Sequence, residues 1–375
     1  MIKKILICRP DNIGDVILFS GALKHIRKLH PHAHITLAVQ AHIINLVELC
    51  PFVNTVISID ELAYWRKLQR MGVLGAHRFQ SQIKKTETLI RRKFNLIKKY
   101  DWIIYPVKSP TIIDLSILAN IKSKRLTGIV GCNVNMPTKA DFKPENIYSD
   151  YLDVTNEDPW RHELYTTLDF LKYLGADVDS ITQIQPEFWL SDADKNFMNN
   201  LGFKKPIIGL FPGASNDIRR WNVSNYRKLA KLIPEIFSFV IFGGPHDITI
   251  ANKVEESLRS AKDDVQILNI AGKTTLRQLY AAISACSVLI SMDTSALHMG
   301  ITAGIPTIGI VGGGHFGRFV PWGNPQKNVI MTNKLDCFHC NWQCMKDNIE
   351  CIDGVSADTV ANVLKDISCP KTDLT

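Results

Sequence analysis

The 375 residues predict an α/β protein built on the doubly wound plan twice over, as two Rossmann-like parallel-sheet domains. Two observations carry this expectation. Short apolar runs rich in Ile and Val alternate with helical patterns in both halves of the chain. Between the halves, residues 176–205 change to turn formers, with Pro186 and the pair Lys204–Lys205 before Pro206. That break sets an expected boundary between a domain over 1–185 and a second over 186–350, with 351–375 as a helix and tail.

In the first half, Ile2–Cys8, Ile35–Gln40, Thr55–Ile59, Trp102–Val107 and Arg125–Val130 read as strands. Asp15–Leu29, Ile43–Leu49 and His162–Leu174 read as helices, the last ended by Gly175. In the second half the strands are Ile207–Phe211, Phe239–Phe242, Val265–Ile270, Val288–Met292, Thr307–Val311 and Val329–Thr332. Helices fall near 224–235, 247–261, 275–285, 295–303 and 356–367.

Composition narrows the class. Apolar residues are 46% and charged residues 21%, the balance of a globular chain, which excludes a disordered or fibrous protein. The net charge of +8 comes from one stretch, since residues 61–99 hold eleven Lys/Arg against Glu61 and Glu87. A generally nucleic-acid-coating protein is therefore excluded, and no nucleic-acid-binding motif accompanies the stretch. It reads either as a solvated helix face or as a surface for an anionic partner, with Trp65, Leu68, Met71, Leu74 and Phe79 interleaved as at a membrane surface. No signal peptide or membrane-spanning run is visible, so the expected location is cytoplasmic, with contact at the inner face of the cytoplasmic membrane open.

The loops after the second-half strands are small and polar: Pro212-Gly213-Ala214-Ser215, Gly243-Gly244-Pro245-His246-Asp247, Ala271-Gly272-Lys273-Thr274, Asp293-Thr294-Ser295 and Gly312-Gly313-Gly314-His315. In a parallel sheet all five share the carboxyl edge, and together they describe a nucleotide-sized groove. Gly213, Ala214 and Ser215 let a diphosphate approach the backbone. Arg219 is either its counter-charge or a solvated surface residue. Thr294 and Ser295 open a helix, a ready anion or sugar site beside Asp293. His298 is either part of that site or a satisfied core histidine. Asp247 suits a ribose hydroxyl or a helix cap. In the first half, Gly14 permits a tight turn after the first strand, and Asp15 is either a cap or a general base.

These segments, RPDNIGDVI (9–17), FPGASNDIRRWN (211–222) and SMDTSALHMGITAGIPTIGI (291–310), resemble glycosyltransferase family 9, the ADP-heptose:lipopolysaccharide heptosyltransferase family. The resemblance implies a GT-B fold with the two domains facing across a cleft, and a metal-independent, inverting transfer from ADP-heptose with no catalytic cofactor. It implies that Asp15, after Gly14, deprotonates the acceptor hydroxyl and that Arg219 faces the diphosphate. It also places Asp293, Thr294, Ser295 and His298 on sugar and phosphate, and Asp247 on ribose. Gly272 and Lys273 belong to the same donor site. The acceptor it implies is an anionic glycolipid of the lipopolysaccharide inner core. A protein acceptor, a UDP-sugar transferase or epimerase, and a non-catalytic nucleotide-binding scaffold remain as alternatives.

Cys337, Cys340, Cys344 and Cys351 form a separate cluster with a CxxC start. In a reducing compartment four thiols suit structural zinc or iron, closed to catalysis by its four ligands. Unligated thiols in a packed tail, or a disulfide pair, are the other readings.

Overall fold

The Ile- and Val-rich runs become strands of two six-stranded parallel sheets, each in a compact unit of its own, Met1–Phe188 and Trp189–Thr375. The coordinates are a computed structural model that describes residues 2–59, 100–111, 114–115, 118, 121–131, 143–197, 202, 206–262, 264–346 and 348–368. The basic stretch 61–99 lies outside the described residues.

In the first unit the strands are β1 (Lys4–Cys8), β2 (His34–Val39), β3 (Thr55–Ser58), β4 (Tyr100–Tyr105), β5 (Ser123–Val130) and β6 (Asp150–Asp153). Their order is β3-β2-β1-β4-β5-β6, so the sheet reverses direction of growth between β1 and β4. Leu6, Ile103, Tyr105, Leu126 and Val130 form the core on one face. The helix expected over Asp15–Leu29 is two helices, α1 (Ile13–Ser20) and α2 (Leu23–Leu29). They part at Gly21, where a Cβ would lie 2.1 Å from the Gln185 carbonyl oxygen, so the returning chain occupies the space a side chain needs. A short α3 (Ile44–Val47) follows β2. In α4 (Glu163–Tyr173), His162 caps the N-terminus by accepting from the Leu164 amide (3.1 Å). Gly175, at φ +93°, follows its end. Strand β6 was not expected from the sequence; it is a four-residue, half-exposed edge strand beginning and ending in Asp.

The second unit starts with the short helix α5 (Asp192–Lys195) and continues β7 (Ile207–Phe211), α6 (Val223–Leu232), β8 (Ser238–Ile241), α7 (Ile248–Arg259), β9 (Ile267–Asn269) and α8 (Leu276–Ser284). Then come β10 (Val288–Met292), α9 (Ser295–Thr302), β11 (Thr307–Ile310), β12 (Asn328–Met331), α10 (Glu350–Asp353) and α11 (Ala357–Ser368). The order β12-β11-β10-β7-β8-β9 makes β7 and β10 central neighbours, with Ile208 opposite Val288. Every residue of both strands is buried, as a sheet covered on both faces requires. Val360, Ala361 and Leu364 of α11 join the same core as Ile208, Trp221, Phe239 and Ile290. The C-terminal helix is thus part of the second unit's body.

Candidate active site

In doubly wound sheets a ligand crevice opens at the carboxyl edge where the strand order reverses. In the second unit that point lies between β7 and β10, and the loops leaving these two strands are joined there by Arg219. Its Nη2 donates to the Asp293 carboxylate Oδ2 (2.7 Å) and to the Asp293 carbonyl oxygen, and Nη1 donates to Ser215 Oγ (3.2 Å). The two charged side chains are 19% and 10% exposed, so the pair is largely withdrawn from water yet reachable from one side. The guanidinium lies over the ring of Trp342, its Cζ 4.6 Å from the centroid.

The neighbouring Arg220 serves the loop itself. It donates to the Ala214 carbonyl (3.1 Å), pairs with Asp217 (2.5 Å) and approaches Asp247 (3.9 Å). Asp247 accepts from the Gly244 amide (2.9 Å), and its carboxylate lies so close to Gly213 that a Cβ there would come within 2.2 Å. Glycine at 213 is therefore required by Asp247, which holds the loops after β7 and β8 together. Trp221, third in the run, is 1% exposed and donates from Nε1 to the Val355 carbonyl (2.8 Å).

Helix α9 starts at Ser295 with Thr294 in the N-cap position, but the Thr294 side chain makes no capping bond to the helix. Its hydroxyl lies 3.4 Å from Ser291 Oγ. In the first turn the Leu297 amide donates to the Thr294 carbonyl (3.1 Å), and the Ser295 and Ala296 amides stand at the positive end of the helix. Both Thr294 and Ser295 are half-buried. His298, one turn on, is buried, stacked on Trp322 at 5.9 Å, and its Nδ1 accepts from Trp322 Nε1 (3.0 Å). That bond assigns the neutral imidazole its proton on Nε2.

Gly272, at φ +73°, turns the loop after β9 against Ile248. Lys273 is exposed and its ammonium donates to the Asn269 carbonyl (3.0 Å). Beside them a hollow of about 400 Å³ is lined by Ile248, Asn252, Glu255, Ile267 and Asn269.

The glycines after β11 do something other than make room for a ligand. A Cβ at Gly313 would meet Phe338 at 2.3 Å, and one at Gly314 would meet Trp342 at 2.4 Å. The expected fifth wall of the groove is filled by the chain's own aromatic residues. His315 follows, hydrogen-bonded to Asn341 (2.6 Å), and burial, aided by the nearby Arg318 and Arg219, holds its imidazole below the ordinary value and hence uncharged at neutral pH.

In the first unit the strand order reverses between β1 and β4. Arg9, 7% exposed, pairs with Asp11 (3.0 Å) and donates to the Pro106 carbonyl beyond β4. Asn12 is the N-cap of α1, and Asp15 stands three residues on, where its Oδ2 accepts from the Asn12 amide (3.2 Å). Gly14 lies within the first turn of α1 and is not among the glycines at positive φ, so the tight turn expected there is absent.

Cys337, Cys340, Cys344 and Cys351 are all free thiols, half-buried or exposed. The first three act electrostatically on Cys351, whose thiol burial pushes up. Among the described residues no group of three or more His, Cys, Asp or Glu side chains is arranged to hold a metal ion. Among them, too, no helix is long and apolar enough to cross a membrane.

Trp322 and Trp342 are the site residues that sequence reasoning missed. Neither has a local signal, because each reaches its partner from a different loop.

Two six-stranded parallel sheets, with polar loops and a paired arginine gathered at the switch point of the second, define a protein of the GT-B class. The chain belongs to glycosyltransferase family 9 (heptosyltransferase), whose model matches residues 140–347. It is 28% identical over 179 residues to lipooligosaccharide heptosyltransferase 2 of Campylobacter jejuni, covering 46% of this chain and 56% of that one. The chain thus spans about half the length of that curated relative. With lipopolysaccharide heptosyltransferase 2 of Salmonella typhimurium it shares 23% identity over 82% of both chains. Among solved structures, a family 9 glycosyl transferase from Veillonella parvula superposes with a TM-score of 0.74 at 19% identity, over 98% of this chain and 97% of that one. The iron-containing glycosyltransferase TibC from enterotoxigenic Escherichia coli superposes at 0.52 with 11% identity, over 98% and 76%.

Proposed function

We propose that the protein transfers heptose from ADP-heptose, with inversion and without a catalytic metal or cofactor, to a hydroxyl of an anionic glycolipid acceptor of the lipopolysaccharide inner core. The observation that carries this reading is Arg219, held by Asp293, Ser215 and Trp342 at the switch point of the second sheet. A diphosphate leaving group gathers charge as the anomeric bond breaks, and a cation already fixed at that place stabilises it without reorganising. The Ser295 and Ala296 amides at the start of α9 and the hydroxyls of Thr294 and Ser295 add donors for phosphate and sugar. His298, with its proton on Nε2, is a further neutral donor. Ala214 and Ser215 admit the phosphates to the backbone, while Gly213 gives its space to Asp247. Asp247 takes the ribose, and the hollow near Gly272 and Lys273 takes the base.

Asp15 supplies the base. Its carboxylate takes the acceptor proton as the acceptor oxygen bonds to the anomeric carbon on the face opposite the phosphate. The electrons of the broken bond leave with ADP. The Lys/Arg-rich residues 61–99 would meet the anionic acceptor and the inner face of the cytoplasmic membrane.

In the test, Asp15→Asn should cut turnover of ADP-heptose by at least about 100-fold while ADP binding stays unchanged. A variant with undiminished turnover removes the base assignment. Glycoconjugates of cells lacking the protein should lack a core heptose.

The cysteine cluster supports a second element of the proposal. In the structure these thiols are not gathered around a common point; drawn together as thiolates on a structural zinc or iron, Cys337, Cys340, Cys344 and Cys351 would pin a segment without regular structure. The name of TibC attests iron in a protein of similar fold. Elemental analysis of the purified chain should then find about one zinc or iron per molecule, lost when the four are changed to serine. An intact core in the deletion strain, with an altered surface protein, would move the acceptor to protein.

A further inference from the structure

We infer that Trp342 is a positioning residue for Arg219, and that the cysteine-rich loop carrying it is therefore part of the donor-binding apparatus; the inference rests on the reading of Arg219 as the diphosphate cation. Arg219 is fixed along two edges by Asp293 and Ser215, and its face is covered by the Trp342 ring. The face contact settles the plane of the guanidinium, which the two edge contacts alone leave free to swivel. A flexible side chain ordered before the ligand arrives loses less freedom when it binds.

Several observations place the indole there with little latitude. Its ring lies against Gly312 and Gly314, where an added Cβ would approach to 2.9 and 2.4 Å, so the loop after β11 leaves a slot that only glycines allow. It meets His315 edge-on at 6.0 Å, and His315 in turn bonds Asn341. The backbone of the loop is fastened along the same glycines, with the His339 amide donating to the Gly313 carbonyl (2.8 Å) and the Asn341 amide to that of Gly314 (3.2 Å). His339, Asn341 and Trp342 all sit at positive φ, 70°, 50° and 60°. Residues with a Cβ adopt that conformation only at a cost, and here it turns the chain so that the indole lies on the glycine slot and under Arg219. Cys337 and Cys344 flank this strained turn and Cys340 lies within it.

The experiment uses the full chain, calorimetric titration with ADP, and steady-state kinetics with ADP-heptose. Trp342→Phe keeps an aromatic face and should hold ADP affinity within about 3-fold. Trp342→Leu keeps bulk in the slot but offers no π face, and should weaken ADP binding about 5- to 30-fold. Its KM for the donor should rise by a similar factor. Trp342→Met serves the same purpose should leucine unsettle the fold, since it fills irregular space without an aromatic face. In an Arg219→Ala background the leucine change should have no further effect on ADP binding. Wild-type affinity in the leucine variant, equal loss in the phenylalanine variant, or a loss that persists in full without Arg219 would each overturn the inference. If Arg219→Ala itself leaves ADP binding intact, the donor-site reading falls and this inference with it. A loss at Arg219 with none at Trp342 removes the inference alone.

Discussion

Arg219 and Asp293 should behave as one unit in both stability and ligand binding, and a double-mutant cycle measures this directly. Their charged groups are in hydrogen-bond contact at 2.7 Å and are mostly shielded from water. At an effective dielectric near 20, charge centres about 4 Å apart attract by about 4 kcal/mol. Withdrawing the two groups from water takes back a good part of that. Nη2 also keeps the Asp293 carbonyl as an acceptor whatever the side chain becomes. Changing either residue alone should therefore cost about 2–3 kcal/mol in urea unfolding, below the value for a fully buried pair. The coupling energy between them should be about 1–3 kcal/mol. Ligand binding should follow a different order. Arg219→Ala leaves the Asp293 carboxylate facing the incoming diphosphate, so ADP affinity should fall about 100-fold. Asp293→Asn leaves a looser but charged guanidinium and should cost about 10-fold. The double variant should bind no worse than Arg219→Ala, because the repelling carboxylate is gone. Stability and ADP affinities that each add within about 0.5 kcal/mol would refute the view that the two residues form one site.

Trp221→Ala should destabilise the protein by about 3–5 kcal/mol, seen as a lower urea midpoint, because a fully buried ring and its bond to Val355 are lost together. Trp322→Phe keeps the stacking on His298 but removes the N–H that Nδ1 accepts; it should cost about 1 kcal/mol of stability and weaken ADP binding several-fold, and unchanged values in both would free His298 from this role. Asp101 in β4 accepts from the Lys3 and Lys4 amides and pairs with Lys124, which hold its carboxyl down at about 2. A depressed carboxyl contributes stability that is complete above its unfolded value near 4 and is lost as pH falls through about 2; Lys124 is exposed, so the contribution is about 1 kcal/mol. Unfolding free energy measured between pH 5 and pH 2 should thus fall less steeply in Asp101→Asn, and identical slopes would show the network to be inert.

Most strands were legible because a parallel sheet buried on both faces demands uninterrupted apolar runs, and Ile207–Phe211 and Val288–Met292 supply them. The edge strand Asp150–Asp153 offered no such run, since half-exposed positions carry charge without penalty. The break at Gly21 was hidden for a different reason: its cause is the backbone at Ile184 and Gln185, far along the chain. At the site, the loop arginine and the helix at Ser295 could be read from residue type, but the partner of Arg219 could not. The glycines at 312–314 were misread because small residues signal only that something approaches closely. Here the approaching group is Phe338 and Trp342 of the same chain.

Arg219, Arg220 and Trp221 show how one tripeptide ties the loop after β7 to the rest of the second unit. Arg219 is turned to Asp293, Arg220 to the loop carbonyl at Ala214 and to Asp217, and Trp221 to the core. Two of the three residues also touch the C-terminal segment. Trp342 covers the Arg219 guanidinium, and the Val355 carbonyl, just ahead of α11, receives the Trp221 indole N–H. Trp342 and Val355 therefore hold the loop after β7 at two adjacent points, one at its charged residue and one at its buried residue. A loop on the carboxyl edge of a sheet is ordinarily the most mobile part of such a fold. Here its basic residue is fastened from beneath and its aromatic residue from behind. The cysteine-rich turn and the segment leading into the last helix accordingly limit the movement of Arg219 and Trp221, although both lie far along the chain from them.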